Sequence, residues 1–132
     1  MRRHLLGLIA LTLGTAQAHA ALTRVIPAPG STGPAPVAVT LQFSEPLSTR
    51  FSNFRVMRVP ASSTPAQAAT SALSLKADAS TLATAAVSLP ATAALIRLPL
   101  KTALPKGVYV VAWKILSDDS HPVTDFRTFT IR

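Results

Sequence analysis

Short runs of alternating apolar and polar residues divide the chain, and clusters of Pro, Gly, Ser and Asn separate these runs. After residue 18 no segment keeps a sustained helical period. Alternation with a period of two places successive side chains on opposite faces of a strand. The clearest run, Gly107–Leu116, puts Tyr109, Val111, Trp113 and Ile115 on one face. About seven such runs predict an all-β fold, an antiparallel immunoglobulin-like β-sandwich with Greek-key connections.

The remaining predicted strands are shorter or richer in alanine, and they cover residues 22–26, 37–43, 54–59, 73–77, 85–89, 94–98 and 128–131. In the run over 37–43 the inward residues are Val37, Val39, Leu41 and Phe43. The turn at 44–46 is expected to end this strand, because Pro46 has no N–H for a ladder hydrogen bond.

Two segments between these strands have no clear period. Residues 60–72 are rich in Ala, Ser, Thr and Pro and predict a mobile loop. The alanine content around 80–86 leaves a helical turn there as an alternative to a strand.

The first 18 residues have the three parts of a secretory signal peptide. Arg2 and Arg3 form a positive start, residues 5–13 form an apolar run, and Ala16-Gln17-Ala18 is a small-residue cleavage site. The apolar run is shorter than the about 20 residues that span a bilayer, which disfavours an uncleaved anchor. We therefore predict a signal peptide over 1–18 and a single domain over 19–132.

A second cleavage site overlaps the first, because Ala18-His19-Ala20 also fits the small-residue pattern. A cut after Ala20 would remove His19 from the exported chain. The cut after Ala18 is favoured, since an imidazole just before the scissile bond suits this region less well.

The charge and cysteine content narrow the function classes for the exported chain. Without Arg2 and Arg3 it has 11 Lys and Arg against 5 Asp and Glu. The basic residues are scattered singly and aromatic residues are few, which argues against nucleic-acid binding. The absence of cysteine excludes disulfides, thiolate metal sites and cysteine nucleophiles.

Residues at two distant places in the chain have the chemistry of a metal site. His19, as the first residue after cleavage, offers its α-amine and its ring Nδ1 to one ion. Near the other end, Pro122 biases His121 toward an extended conformation, so that Asp119 and His121 project to the same side. These nitrogen and oxygen ligands suit tetragonal Cu(II), and Zn(II) is an alternative. The simplest reading of 117–122 is a plain turn between strands.

The chain resembles the CopC-like copper-resistance proteins, which are small exported β-sandwich domains that bind Cu(II). The resemblance covers the chain from residue 19 onward. Its ordered landmarks are His19, Val25-Ile26-Pro27-Ala28-Pro29-Gly30-Ser31, Phe43-Ser44-Glu45-Pro46, Leu104-Pro105-Lys106-Gly107-Val108-Tyr109, Trp113 and Ser117-x-Asp119-x-His121-Pro122-Val123.

This resemblance implies one Cu(II) per chain, bound by the amine and ring of His19 together with Asp119 and His121. It further implies a monomeric periplasmic carrier without enzymatic activity, whose partner is an inner-membrane copper transporter of the CopD type. The domain has only Met57 and no Met-x-Met run, so no Cu(I) site is expected, and Met57 is interpreted as a packing residue or an exposed strand position.

Some positions depart from the family pattern or stay open. Asp125 stands where the family often has Gly, and Arg127 where an aromatic is common, which puts the local packing in question. Glu45 is either a partner that orients a metal-bound imidazole or a solvated turn carboxylate.

Two other functions remain as alternatives. A metal-free immunoglobulin-like interaction domain is favoured if cleavage follows Ala20 or if 117–122 is only a turn. A copper-dependent oxidase or monooxygenase is less favoured, because Asp119 would occupy a coordination position that oxygen needs. Neither His19 nor His121 lies in a motif typical of a hydrolase triad.

Overall fold

A computed structural model describes residues 20–116 and 121–132 of the chain. The described strands are β1 (Leu22–Ile26), β2 (Thr32–Gly33), β3 (Ala38–Ser48), β4 (Asn53–Arg58), β5 (Thr92–Pro99), β6 (Gly107–Leu116) and β7 (Pro122–Ile131). The first sheet has the order β1-β3-β5 and the second sheet the order β2-β7-β6-β4. All pairs are antiparallel except β2 with β7. The predicted β-sandwich is therefore confirmed.

The main core lies between the two sheets and consists of the inward residues of both. Tyr109, Val111, Trp113 and Ile115 are all buried, as the alternation along β6 predicted. Each large apolar side chain buried in this way contributes about 1.5–3 kcal/mol of hydrophobic stabilisation. Among the residues described here, none of the helices is long and apolar enough to cross a membrane.

Strand β3 is longer than predicted. It continues through Pro46 to Ser48, where Leu47 is buried. The pairing register with β5 shifts between Gln42 and Leu47, so Pro46 lies at an irregularity where no ladder hydrogen bond is required. The inward assignment of Val37 was wrong, because Val37 precedes the strand and is 79% exposed.

A helix replaces the predicted loop over 60–72 and the predicted strand over 73–77. Helix α1 (Pro65–Ser74) begins with a capping box, in which Thr64 and Gln67 exchange side-chain hydrogen bonds with each other's backbone N–H. Pro65 at the first helical position has the φ angle that a helix requires. The helix was missed because its buried face consists of the small residues Ala68, Ala69 and Ala72.

Helix α1 covers the outer face of the second sheet and forms a smaller core there. The buried residues of this core are Met57, Ala68, Ala72, Leu82 and Val110, and Phe126 packs against them. Met57 is therefore a packing residue, the first of the two interpretations made from the sequence.

The segment after α1 closes one side of the sandwich. The predicted strand at 85–89 and the alternative helical turn at 80–86 were both wrong, since only isolated bridges form, Met57 with Leu82 and Thr84 with Leu100. The Ala83 N–H donates to Val56 of β4, and the Ala83 carbonyl accepts from Lys101, just beyond β5. The backbone of this segment therefore hydrogen-bonds to strands of both sheets and forms no additional strand in either of them.

The last predicted strands fit the structure more closely. Strand β5 includes the predicted 94–98, and β7 begins at Pro122 rather than at residue 128. Phe129 and Ile131 are buried as expected.

Candidate metal centre

The three predicted metal ligands differ in how far the structure describes them. His121 is exposed and directly precedes β7. His19 and Asp119 lie outside the described residues. Within 20–116 and 121–132, no group of three His, Asp or Glu side chains is arranged to hold a metal ion. The structural argument for a site therefore rests on the segments that flank these residues.

The segment that follows His19 is fixed beside β3 by a reciprocal pair of hydrogen bonds. The Ala21 N–H donates to Ser44 Oγ at 2.9 Å, and the Ser44 N–H donates to the Ala21 carbonyl at 2.8 Å. Leu22 pairs with Phe43, and Ala20 packs against the main core. The N-terminal segment thus leaves the sheet beside Ser44. From the sequence, Ser44 was recognised only as one residue of the landmark at 43–46, and its hydrogen bonds to Ala21 were not predicted.

Asp119 lies in sequence between the end of β6 and the start of β7, in the segment 117–120 that is outside the described residues. Leu116 of β6 pairs with Pro122 of β7, and His121 is the residue just before Pro122. Trp113, three residues before Leu116, contacts Phe43 of the opposite sheet, with ring centroids 6.1 Å apart. The paired ends of β6 and β7 therefore lie three residues past the contact between Phe43 and Trp113.

Both segments leave the sandwich at the same end. At the opposite end Ile131 pairs with Gly33 and with Gly107, so β6 begins there, and β3 begins shortly after Gly33. Strands β3 and β6 consequently run in the same direction. Ser44, which anchors Ala21, lies past the middle of β3 toward the end of the sandwich at which Leu116 of β6 pairs with Pro122 of β7.

Glu45 is half-buried and directly follows Ser44 in this region. Its position next to the residue that anchors the N-terminal segment is compatible with either role proposed from the sequence. The orientation of its carboxylate toward a metal-bound imidazole stays a prediction.

The two unusual residues of β7 pair with each other beside Trp113. Arg127 Nη1 lies 2.9 Å from Asp125 Oδ2, and the Arg127 guanidinium lies 5.5 Å from the centroid of the Trp113 ring. A cation over an indole face at this distance is attracted by the ring quadrupole. Arg127 therefore covers Trp113 where a second aromatic residue is common, and Asp125 supplies its counter-charge.

The sequence matches the CopC domain family over residues 22–132. A copper resistance protein C from Pseudomonas syringae pv. tomato is 34% identical over 124 residues, which cover 92% of this chain and 87% of that protein. A copper resistance protein C from Escherichia coli is 29% identical over 130 residues, or 96% of this chain and 91% of that protein. The chain therefore belongs to the CopC family of copper resistance proteins.

Solved structures agree with this assignment. PcoC, described as a methionine-rich copper resistance protein from Escherichia coli, is 28% identical, with a TM-score of 0.62 over 87% of this chain and all of that one. CopC from Methylosinus trichosporium OB3b is 21% identical, with a TM-score of 0.58 over 86% of this chain and 93% of that one, and supports the fold alone. The resemblance inferred from the sequence is thus confirmed at the level of family and fold.

Proposed function

We propose that this protein is a periplasmic carrier of one Cu(II) ion, bound by the amine and ring of His19 with Asp119 and His121. The observation that carries the proposal is the common end of the sandwich from which two segments depart. The N-terminal segment leaves beside Ser44, and the turn before His121 leaves between β6 and β7. The described residues that flank His19 and Asp119, about a hundred positions apart in sequence, therefore lie at one end of the fold, which supports a shared site.

The chemistry of the ligands supports Cu(II) over other ions. Three nitrogens and one carboxylate oxygen suit the tetragonal geometry of Cu(II), which also binds such sites more tightly than the other divalent first-row ions. Thioether sulfur, which Cu(I) prefers, is available in the domain only from Met57, and that side chain is buried under α1.

The location and partner follow from the same proposal. Cleavage after Ala18 in the periplasm creates the free amine on which the chelate depends. A copper transporter of the CopD type in the inner membrane exchanges the ion with the monomeric carrier. No turnover is involved, because Asp119 occupies a position that an oxygen-activating site would leave open.

The experiment is native mass spectrometry of the exported protein with one equivalent of Cu(II), together with electron paramagnetic resonance to count nitrogen ligands. A mass that starts at His19 and retains one copper is the expected result. A mass that starts at Ala21, or a His19 start that retains no copper, contradicts the proposal and leaves the metal-free domain.

Two variants separate the two halves of the site. His121→Ala should weaken Cu(II) binding by more than about 100-fold, since loss of an outer partner of a ligand alone costs about 10–100-fold. Acetylation of the His19 amine keeps every side chain but removes the amine as a ligand, and it should remove one nitrogen from the resonance spectrum. Lys114→Ala, an exposed change on β6, is the control and should bind Cu(II) as the wild type does.

A further inference from the structure

A cavity lies along the outer edge of β4, where the segment after α1 diverges from that strand. Its volume is about 120 Å³. The lining residues are Ser52, Phe54, Arg55, Ala77, Thr84, Ala85, Ala86, Val87, Leu89 and Leu98.

The guanidinium of Arg55 provides a positive charge at this cavity. Nη1 donates to the Phe54 carbonyl at 2.9 Å and Nε donates to the Leu75 carbonyl at 3.4 Å. A guanidinium has five N–H donors, and within the described part of the chain the other three have no acceptor and no carboxylate pairs with the group. Burial lowers the pKa of the Arg55 guanidinium below its ordinary value. The cation is thus partly desolvated and lacks a counter-ion there.

The hydroxyl of Thr84 is a second polar group in the cavity that has no hydrogen-bond partner among the described residues. Thr84 is only 8% exposed. It lines both this cavity and an adjoining depression. No side-chain nitrogen or oxygen that is sealed from solvent lacks a hydrogen-bond partner in the described part of the chain, so the Thr84 hydroxyl is open to the cavity and can donate to an acceptor there.

The backbone of β4 adds a third donor. The Phe54 carbonyl accepts from Arg55 and so points to the outer edge of the strand, as the Val56 carbonyl does in accepting from Ala83. Because the N–H and C=O of one strand residue point to the same side, the Phe54 N–H also faces this edge. Arg55, Thr84 and the Phe54 N–H therefore surround the cavity with donors.

The remaining walls and neighbouring charges limit which anion fits. Phe54, Val87, Leu89 and Leu98 make much of the lining apolar, which favours a ligand with carbon atoms. The adjoining depression contains Asp78 and Lys101, whose opposite charges offset each other, so Arg55 is the one uncompensated cation among the described residues around the cavity and matches a single negative charge. A carboxylate is singly charged, and its two oxygens match the fork of a guanidinium.

We propose that this cavity binds a small aliphatic monocarboxylate, with Arg55 and Thr84 donating to the carboxylate and the alkyl chain against the apolar wall. None of the proposed copper ligands is among the residues that line it.

The test is a titration of the metal-free protein with butyrate, followed by the amide resonances of residues 52–55 and 84–87. Butyramide, which has the same shape without the charge, and sodium chloride at matched ionic strength are the reference solutes. Saturable shifts confined to these amides with butyrate, and much weaker ones with butyramide, are expected. Equal shifts with butyramide, or shifts that grow linearly without saturation, overturn the proposal.

Three variants test the assignment of the donors. Thr84→Val keeps the shape and removes the hydroxyl, and it should raise the dissociation constant about threefold or more. Arg55→Gln should abolish saturation. Arg97→Gln removes an exposed charge on β5 and should bind butyrate as the wild type does.

Arg55 also bonds the carbonyl that follows α1, so Arg55→Gln is informative only if its circular dichroism is that of the wild type. Thr84→Val does not depend on that condition. Unchanged affinity in Thr84→Val, or an equal loss in Arg97→Gln, would show that the cavity does not select the carboxylate.

Discussion

The ring of Trp113 lies edge-on to the ring of Phe43, with centroids 6.1 Å apart and an angle of 82° between the planes. This contact joins the two sheets, because Phe43 belongs to β3 and Trp113 to β6. Phe43 also pairs with Leu22, and Trp113 is three residues from the end of β6. The same aromatic contact therefore supports the N-terminal segment and the β6–β7 turn together.

Replacing Phe43 by leucine should lower the free energy of unfolding by about 1–2 kcal/mol, because the volume is nearly kept but two ring contacts are lost. Urea denaturation followed by circular dichroism measures this change. Cu(II) affinity should fall as well, since both flanks of the proposed site depend on the contact.

Phe51→Leu is the matched control for this variant. Phe51 is 66% exposed, so the same chemical change should stay within about 0.5 kcal/mol of the wild type and leave Cu(II) binding unchanged. Equal losses in the two variants would mean that the effect comes from the loss of a phenyl ring anywhere in the chain.

Cu(II) affinity should decrease as the pH falls. A terminal α-amine has an ordinary pKa of about 7.7–8.0, and only its neutral form binds a metal. Below that range each unit of pH should therefore weaken binding about tenfold through the amine alone, as protons compete for the nitrogen. Competition titrations against a chelator of known affinity at several pH values measure this slope.

The chain acetylated at the His19 amine is the control for the pH experiment. It has no titratable amine at this position, so both its affinity and its pH slope in this range should be smaller. A wild-type affinity that is the same in mildly alkaline and mildly acidic buffer would exclude the amine as a ligand.

The sequence predicted the fold well where large apolar residues alternate. Strand β6 has the predicted bounds. The large residues Tyr109, Val111, Trp113 and Ile115 alternate with a period of two, which fits a strand and not a helix. Helix α1 was missed because alanine contributes little to a hydrophobic period, although Thr64, Pro65 and Gln67 together form a helix start that the sequence contains. The order of apolar and polar residues over 82–85 could not show that the backbone there would hydrogen-bond to both sheets.

The residue types of the candidate site could be predicted from the sequence, but the position of the flanking segments in the fold could not. His19, Asp119 and His121 follow from ligand chemistry and from the family resemblance. That their segments lie at one end of the sandwich depends on the parallel directions of β3 and β6, which no spacing in the sequence encodes. The anchoring of Ala21 by Ser44 likewise depends on the β1–β3 register.

Tyr109 should ionise only at strongly alkaline pH in the folded protein. Burial raises the pKa of its phenol above 10.0, and the nearby charge of Arg58 partly opposes this. The folded state thus holds the proton more tightly than the unfolded chain. The stability that this contributes is complete below about pH 10 and is lost as the pH rises through the raised pKa.

The chain contains a single tyrosine, so the ultraviolet absorbance of tyrosinate reports on Tyr109 alone. The midpoint should be higher in buffer than in concentrated urea, and equal midpoints would contradict the burial argument. Tyr109→Phe should lose the hydrogen bond to the Pro105 carbonyl, at a cost of about 0.5–1.5 kcal/mol, together with this alkaline dependence.

The helix that the sequence analysis missed should depend on its N-terminal cap. Thr64→Ala removes the oxygen that accepts from the Gln67 N–H at 3.2 Å, and it should lower the free energy of unfolding by about 1 kcal/mol. Thr70→Ala is the matched change inside the same helix, at an exposed residue whose hydroxyl donates to the Ala66 carbonyl. It should be neutral or slightly stabilising, because alanine has the higher helix propensity. Urea denaturation of both variants measures the two changes in the free energy of unfolding. A decrease in Thr70→Ala as large as that in Thr64→Ala would mean that the capping box does not stabilise the packing of α1 on Met57 and Val110.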